Sequence, residues 1–117
     1  MLVNGVDIVE VPRIKRISEQ YGSRFLQRIY TPLEISYCKG RAQQLASRFA
    51  GKEAMMKALG TGIRGIPWKD IEIIRLKGKP PTIQLHRKAA KRAQDLGISS
   101  IALSLSHSKE YAIASIV

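Results

Sequence analysis

The stretch from Arg41 to Gly60 constrains the fold more than any other part of the chain. It is dominated by Ala, Leu, Met, Gln, Lys and Glu, all strong helix formers, and it stops at Gly60, the residue type that most easily closes a helix in the left-handed conformation. At 100° per residue, Ala42, Leu45, Ala46, Phe49, Met56 and Leu59 gather on one side, which predicts a helix laid against the core. Glu53 falls inside that stripe, between Phe49 and Ala46. A carboxylate there is costly unless something cationic meets it. Three arrangements would satisfy it: an ion pair with Lys57 one turn on, a metal ion, or a cleft opening at that point of the stripe.

Around this helix the chain reads as α+β, with helices in the first half and mostly antiparallel strands in the second. Val3 to Val11 is β-branched and almost continuously apolar, which predicts a strand buried on both faces. Asp7 interrupts it on the parity of Val3, Val9 and Val11; it is either a cap for a neighbouring turn or a residue with chemistry to do. Pro12 opens a short helix to Tyr21 with Ile14 and Ile17 inward and Arg13, Lys15 and Arg16 on a basic outer face. Gly22-Ser23 breaks it and Arg24 to Tyr30 begins another. Thr31-Pro32-Leu33-Glu34 is a capping box that predicts a helix to about Lys39. A loop runs from Gly60-Thr61-Gly62 to Pro67-Trp68. Strands are expected at Ile71–Leu76, Thr82–Leu85, Ser100–Ser106 and Tyr111–Val117, with a basic helix from His86 to Leu96 and a turn at His107-Ser108-Lys109-Glu110.

With 117 residues and 44% apolar content, a single compact domain spanning 1–117 is expected. No apolar run approaches the length of a membrane span and no secretory signal opens the chain, so neither a membrane nor export is expected. Lone Cys38 cannot form an internal disulfide, which fits a reducing, cytoplasmic setting. Twenty Lys and Arg against nine Asp and Glu give a net charge of +11, which calls for an acidic partner: nucleic acid, anionic membrane, acidic protein or phosphorylated small molecule. Aromatics are 6% and not interleaved with basic runs, and no helix-turn-helix, zinc-finger or RNA-recognition signature is present.

Asp7, Glu53 and His107 are the three residues out of keeping with their surroundings. Two hard oxygen ligands without Cys suit Mg²⁺, which takes one or two carboxylates and completes its shell with waters and substrate phosphates. Lys57 would neutralise a phosphate, and Gly60-Thr61-Gly62 offers backbone N–H groups to a diphosphate, although the same glycines also read as an ordinary helix cap and turn. From the residues alone this amounts to a Mg²⁺–phosphate site in a basic α+β domain.

Five blocks, in order, resemble the holo-[acyl-carrier-protein] synthases, the small phosphopantetheinyl transferases. They are Gly5-Val6-Asp7-Ile8-Val9; Phe25 to Glu34; Arg48-Phe49-Ala50-Gly51-Lys52-Glu53-Ala54 with Lys57-Ala58-Leu59-Gly60-Thr61-Gly62; Trp68-Lys69-Asp70-Ile71-Glu72; and Ser104-Leu105-Ser106-His107-Ser108. Gly51 departs from the Ala of that pattern, and a mid-helix Gly costs about 1 kcal/mol.

The resemblance implies a 4'-phosphopantetheinyl transferase-like fold and the transfer of 4'-phosphopantetheine from coenzyme A to a serine of apo acyl carrier protein, in support of fatty acid biosynthesis. Adenosine 3',5'-bisphosphate would leave. It implies Mg²⁺ on Asp7 and Glu53, charge stabilisation by Lys57, a coenzyme A phosphate at Gly60-Thr61-Gly62, and carrier docking at Arg13; His107, with Glu53 and Lys57 among the catalytic residues, would hold a coenzyme A phosphate or orient a neighbour. The general base stays open between Glu53 and a metal-bound water. It also implies a homotrimer with clefts between subunits; independently, the first and last strands, apolar on both parities, call for a partner to cover one sheet face. The positive charge then serves an acidic carrier and a phosphorylated co-substrate. A nucleic-acid-binding module would account for the charge but gives Asp7 and Glu53 no role, and a basic interaction protein without a metal site would lack one of those carboxylates.

Overall fold

Strand β1 (Gly5–Glu10) runs straight into helix α1 (Val11–Tyr21), where Pro12 occupies a position whose N–H would have no partner anyway. The structure, a computed structural model, describes residues 2–62 and 65–117, so residues 63 and 64 of the expected loop lie outside it. Gly22 breaks the helix at φ +56°, and α2 (Ser23–Ile29) follows. The capping box forms as expected at the head of α3 (Pro32–Cys38): the Thr31 hydroxyl accepts from the Glu34 N–H, and Glu34 Oε1 accepts from the Thr31 N–H at 2.9 Å. Then come α4 (Ala42–Ala58), β2 (Ile71–Ile74), β3 (Thr82–Leu85), α5 (Arg87–Asp95), β4 (Leu103–His107) and β5 (Tyr111–Ile116).

The strands form two antiparallel sheets. One has the order β1-β5-β4, with Gly5 opposite Ile116, Asp7 opposite Ala114 and Val9 opposite Ala112; the other is the β2–β3 hairpin. Helix α4 crosses the three-stranded sheet and packs mainly on β1 and β5. Small residues allow the approach. A Cβ on Gly5 would stand 2.0 Å from the Ala54 carbonyl oxygen, so β1 and α4 touch backbone to backbone.

Three expectations need correction. Strand β1 is buried on one face only: Val9 is buried, but Val6 is 61% and Ile8 59% exposed, because α4 covers a single side of the sheet. Helix α4 is covered nearly all round rather than along a stripe, burying Ser47, Arg48, Ala50, Gly51, Lys52, Ala54 and Met55 as well, because the β2–β3 sheet and α3 pack on its other sides. Gly51 is therefore more than a weak point: a Cβ there would stand 2.5 Å from Ile73 Cδ1 and 3.5 Å from Leu105 Cδ2. Strand β4 starts at Leu103 rather than Ser100 and includes His107, which pairs with Ala112, so the turn is only Ser108 to Glu110.

Candidate active site

Asp7, Glu53, Lys57 and Arg13 converge where β1 passes under α4 and α1 begins. Gly5 sets the separation of strand and helix, and the next residues of β1 then lie beside the helix turn that carries Glu53, Ala54, Lys57 and Ala58. Lys57 Nζ stands 2.8 Å from Asp7 Oδ1 and donates to the Val6 carbonyl at 3.2 Å. Lys57 is therefore satisfied by Asp7, one turn-spacing pair having given way to a tertiary one. Asp7 Oδ2 is buried and has no hydrogen-bond partner among the described residues.

Glu53 is half-buried. Burial first, and the charge of Asp7 second, push its carboxyl above the usual range, while Lys57 and Arg13 pull it back. The Lys57 ammonium is raised, chiefly by its hydrogen bond to Asp7. Two carboxylates that repel each other, one with an orphaned buried oxygen, form a donor set suited to a hard divalent cation. Among the described residues no third His, Cys, Asp or Glu joins them, which suits an ion that draws its remaining ligands from water and substrate phosphates.

The end of α4 takes the helix-cap alternative that the sequence offered for Gly60-Thr61-Gly62. Gly60 and Gly62 take positive φ, +75° and +62°. The Gly60 N–H donates to the Lys57 carbonyl and the Thr61 N–H to the Met56 carbonyl, the paired bonds that close a helix C-terminus. Two of the three amides offered to a phosphate are thus occupied by the cap itself. A residue that the sequence did not single out stands here instead: Arg92, on α5, donates through Nε to the Leu59 carbonyl at 3.0 Å and lies beside Gly60. Nothing in the basic pattern of α5 distinguishes Arg92 from Lys88 or Lys91; only the packing of α5 against the end of α4 does.

His107 is not part of the carboxylate cluster. It is exposed at the end of β4, two strands from β1, and lines a shallow cavity with Ile8, Tyr111 and Ile113; its register opposite Ala112, itself opposite buried Val9, gives it the parity of the α4-covered face. Arg13 is exposed on the same helix as Ile17 and Tyr21, which with Arg24, Phe25 and Arg28 line a second cavity between α1 and α2.

Residues 4–116 match the family model of the 4'-phosphopantetheinyl transferase superfamily. The chain is 51% identical to the holo-[acyl-carrier-protein] synthase of Koribacter versatilis over 121 residues, covering all of this chain and 97% of the relative. It is 47% identical to that of Solibacter usitatus, covering 97% of this chain and 94% of the relative. Its fold superposes on the crystal structure of Helicobacter pylori holo-[acyl-carrier-protein] synthase in complex with coenzyme A with a TM-score of 0.88, at 35% identity and 97% coverage of both chains. The ordered motifs, the α4–β1 carboxylate pair and these full-length similarities agree: the chain belongs to the 4'-phosphopantetheinyl transferase superfamily, among the holo-[acyl-carrier-protein] synthases.

Proposed function

We infer that this chain transfers the 4'-phosphopantetheine group of coenzyme A to a serine hydroxyl of an apo acyl carrier protein, releasing adenosine 3',5'-bisphosphate. The observation that carries the reading is the convergence of Asp7, Glu53 and Lys57 in a member of this family. Asp7 and Glu53 would hold Mg²⁺. When bound, the ion supplies charge neutralisation at the diphosphate and a template for in-line attack. Lys57, raised and half-exposed, stays a cation throughout and is placed to meet a diphosphate oxygen beside the carboxylates. Glu53, with its raised carboxyl, is the chain's own candidate to take the proton of the attacking serine.

The carrier docks, on this reading, along α1 and α2. Arg13 lies beside the carboxylates, and Arg24 and Arg28 flank the apolar residues Ile17 and Phe25. An acidic helix with apolar side chains on one face would match that pattern.

The active assembly is a homotrimer. Its support is the open sheet face, where Val6, Ile8, Tyr111 and Ile113 are all exposed. Covering apolar surface yields about 25 cal/mol per Å², and a closed ring leaves no such face free. His107 lines a cavity with Ile8, Tyr111 and Ile113 at the edge of that face, and a neighbouring copy seated there would bring it to a shared coenzyme A cleft, with Gly60-Thr61-Gly62 and Lys57 on the other wall. No helix among the described residues is long and apolar enough to cross a membrane. A lone, buried Cys38 fits a cytoplasmic enzyme serving fatty acid biosynthesis.

Mass spectrometry of an apo acyl carrier protein incubated with this protein, coenzyme A and Mg²⁺ tests the reading. The expected result is a carrier heavier by one phosphopantetheine, with Mg²⁺ required. Asp7→Ala and Glu53→Ala should abolish loading while circular dichroism shows the fold retained. Near-normal turnover by either variant at limiting Mg²⁺ would refute the metal assignment.

A further inference from the structure

Lys52 precedes Glu53 on α4 and has no exposed surface. Its ammonium lies 2.8 Å from Glu34 Oε1 and donates to the Trp68 carbonyl at 3.1 Å and to the Ile71 carbonyl. Glu34 in turn accepts from the Thr31 N–H through Oε1 and from the Ile73 N–H through Oε2, each at 2.9 Å. All three ammonium hydrogens and both carboxylate oxygens are therefore used, by α3, the turn before β2, and β2 itself. As a source of stability such a pair is poor: desolvating two ions consumes most of their attraction, and apolar replacements of similar volume are often neutral or better.

What the pair supplies that apolar packing does not is direction. The fits of Gly5 on Ala54 and of Gly51 under Ile73 set how closely the strands approach α4, and the remaining covered surface, including Ala46, Ala50, Met55 and Met56, is small or unbranched and discriminates weakly between neighbouring rotations of the helix. Hydrogen bonds from Lys52 to two carbonyls and a fixed carboxylate select one rotation. Neighbouring residues on a helix differ by about 100°. Holding Lys52 against α3 and β2 consequently turns Glu53 toward β1 and Asp7.

We propose that Lys52, through its ion pair with Glu34, is a positioning residue for the transfer reaction: it sets the rotation of α4 that aims Glu53 at the Asp7 side of the site. This rests on the Mg²⁺ role proposed for Asp7 and Glu53. Two variants test it, Glu34→Gln and the double variant Lys52→Met with Glu34→Gln, which leaves no unpaired buried charge. For each, thermal unfolding, Mn²⁺ binding to the free enzyme by electron paramagnetic resonance, and the Mg²⁺ dependence of carrier loading are compared with the wild type and with Asp7→Ala. The expected result is a folded protein whose Mn²⁺ dissociation constant and half-saturating Mg²⁺ both rise about tenfold, the size of effect seen when groups supporting a metal ligand are removed, with the KM for the carrier unmoved. A purely structural role would lower the melting temperature and leave the cation affinity of the folded molecules alone. Folded variants with wild-type Mn²⁺ affinity overturn the proposal, and so do two variants that only yield unfolded chain. If the wild type binds no Mn²⁺, the metal reading fails and this inference falls with it; if the wild type binds, Asp7→Ala does not, and the variants match the wild type, this inference alone fails.

Discussion

Gly5 and Ala54 meet without a side chain between them: a Cβ on Gly5 would lie 2.0 Å from the Ala54 carbonyl oxygen and 3.0 Å from the Ala58 nitrogen. Both obstacles are backbone, so nothing flexible can yield. Gly5→Ala should lift α4 off β1 and separate Asp7 from Glu53 and Lys57. Overpacking of this kind costs about 1–3 kcal/mol, which in a small domain lowers the melting temperature by roughly 4–8 °C per kcal/mol. Calorimetry beside the loading assay should show a rate loss larger than the unfolded fraction accounts for. Wild-type melting and wild-type rates would contradict the close approach.

The raised Glu53 carboxyl sets two pH dependences of opposite sign. Burial and the Asp7 charge hold its folded value above the ordinary 4.5, so the folded chain keeps this proton where the unfolded chain has lost it. The resulting stability is full below about pH 4.5 and is lost as pH rises through the raised value. Cation binding requires the carboxylate and weakens as pH falls through that same value. Urea titrations without divalent cation should show the wild type losing stability through this window relative to Glu53→Gln. Parallel pH profiles for the two proteins would remove Glu53 from a strained site.

Arg13→Glu should raise the KM for the carrier and leave that for coenzyme A nearly unchanged. Added salt should mimic the substitution, because exposed charges are screened over about 10 Å at 0.1 M. Arg13 also lowers the Glu53 carboxyl, so charge reversal should move the acidic limb of the rate profile upward in pH. Equal effects on both substrates would place carrier docking elsewhere.

Ile113, 44% exposed on the open sheet face, is the residue to test assembly. Ile113→Lys should convert a trimer to monomers in analytical ultracentrifugation and abolish loading at low protein concentration. Mixing Glu53→Ala with His107→Ala chains should restore part of the activity, since some clefts then combine an intact wall from each. A wild-type monomer, fully active at assay concentration, would end the shared-cleft reading.

The elements legible in the sequence are those specified by near neighbours. The Thr31–Glu34 capping box, the Pro12 start of α1 and the Gly60 end of α4 are local signals, and the structure follows them. Asp7 and Glu53 stood out because each is a carboxylate among apolar neighbours. Lys52 did not, since a Lys on a helix reads as a solvated residue until α3 and β2 are known to cover it. Gly51 read as a local defect because propensity sees only the helix and not Ile73 facing it. His107 read as a turn residue because the register that keeps it in β4 comes from Ala112 across the strand pair.

Strand β1 has a single hydrogen-bonded neighbour among the described residues, β5, and the first pair joins Gly5 to Ile116. Closing a loop of that span costs about 4 kcal/mol of chain entropy before any contact repays it. Contacts of such sequence separation slow folding, whereas the helices assemble from local ones. Glu53 and Lys57 ride on a helix whose hydrogen bonds are all local, but Asp7 arrives on the strand that must find its partner at the far end of the chain. A molecule with its helices in place and β1 not zipped to β5 holds half of the carboxylate pair, so the site is complete only where the two ends of the chain have met.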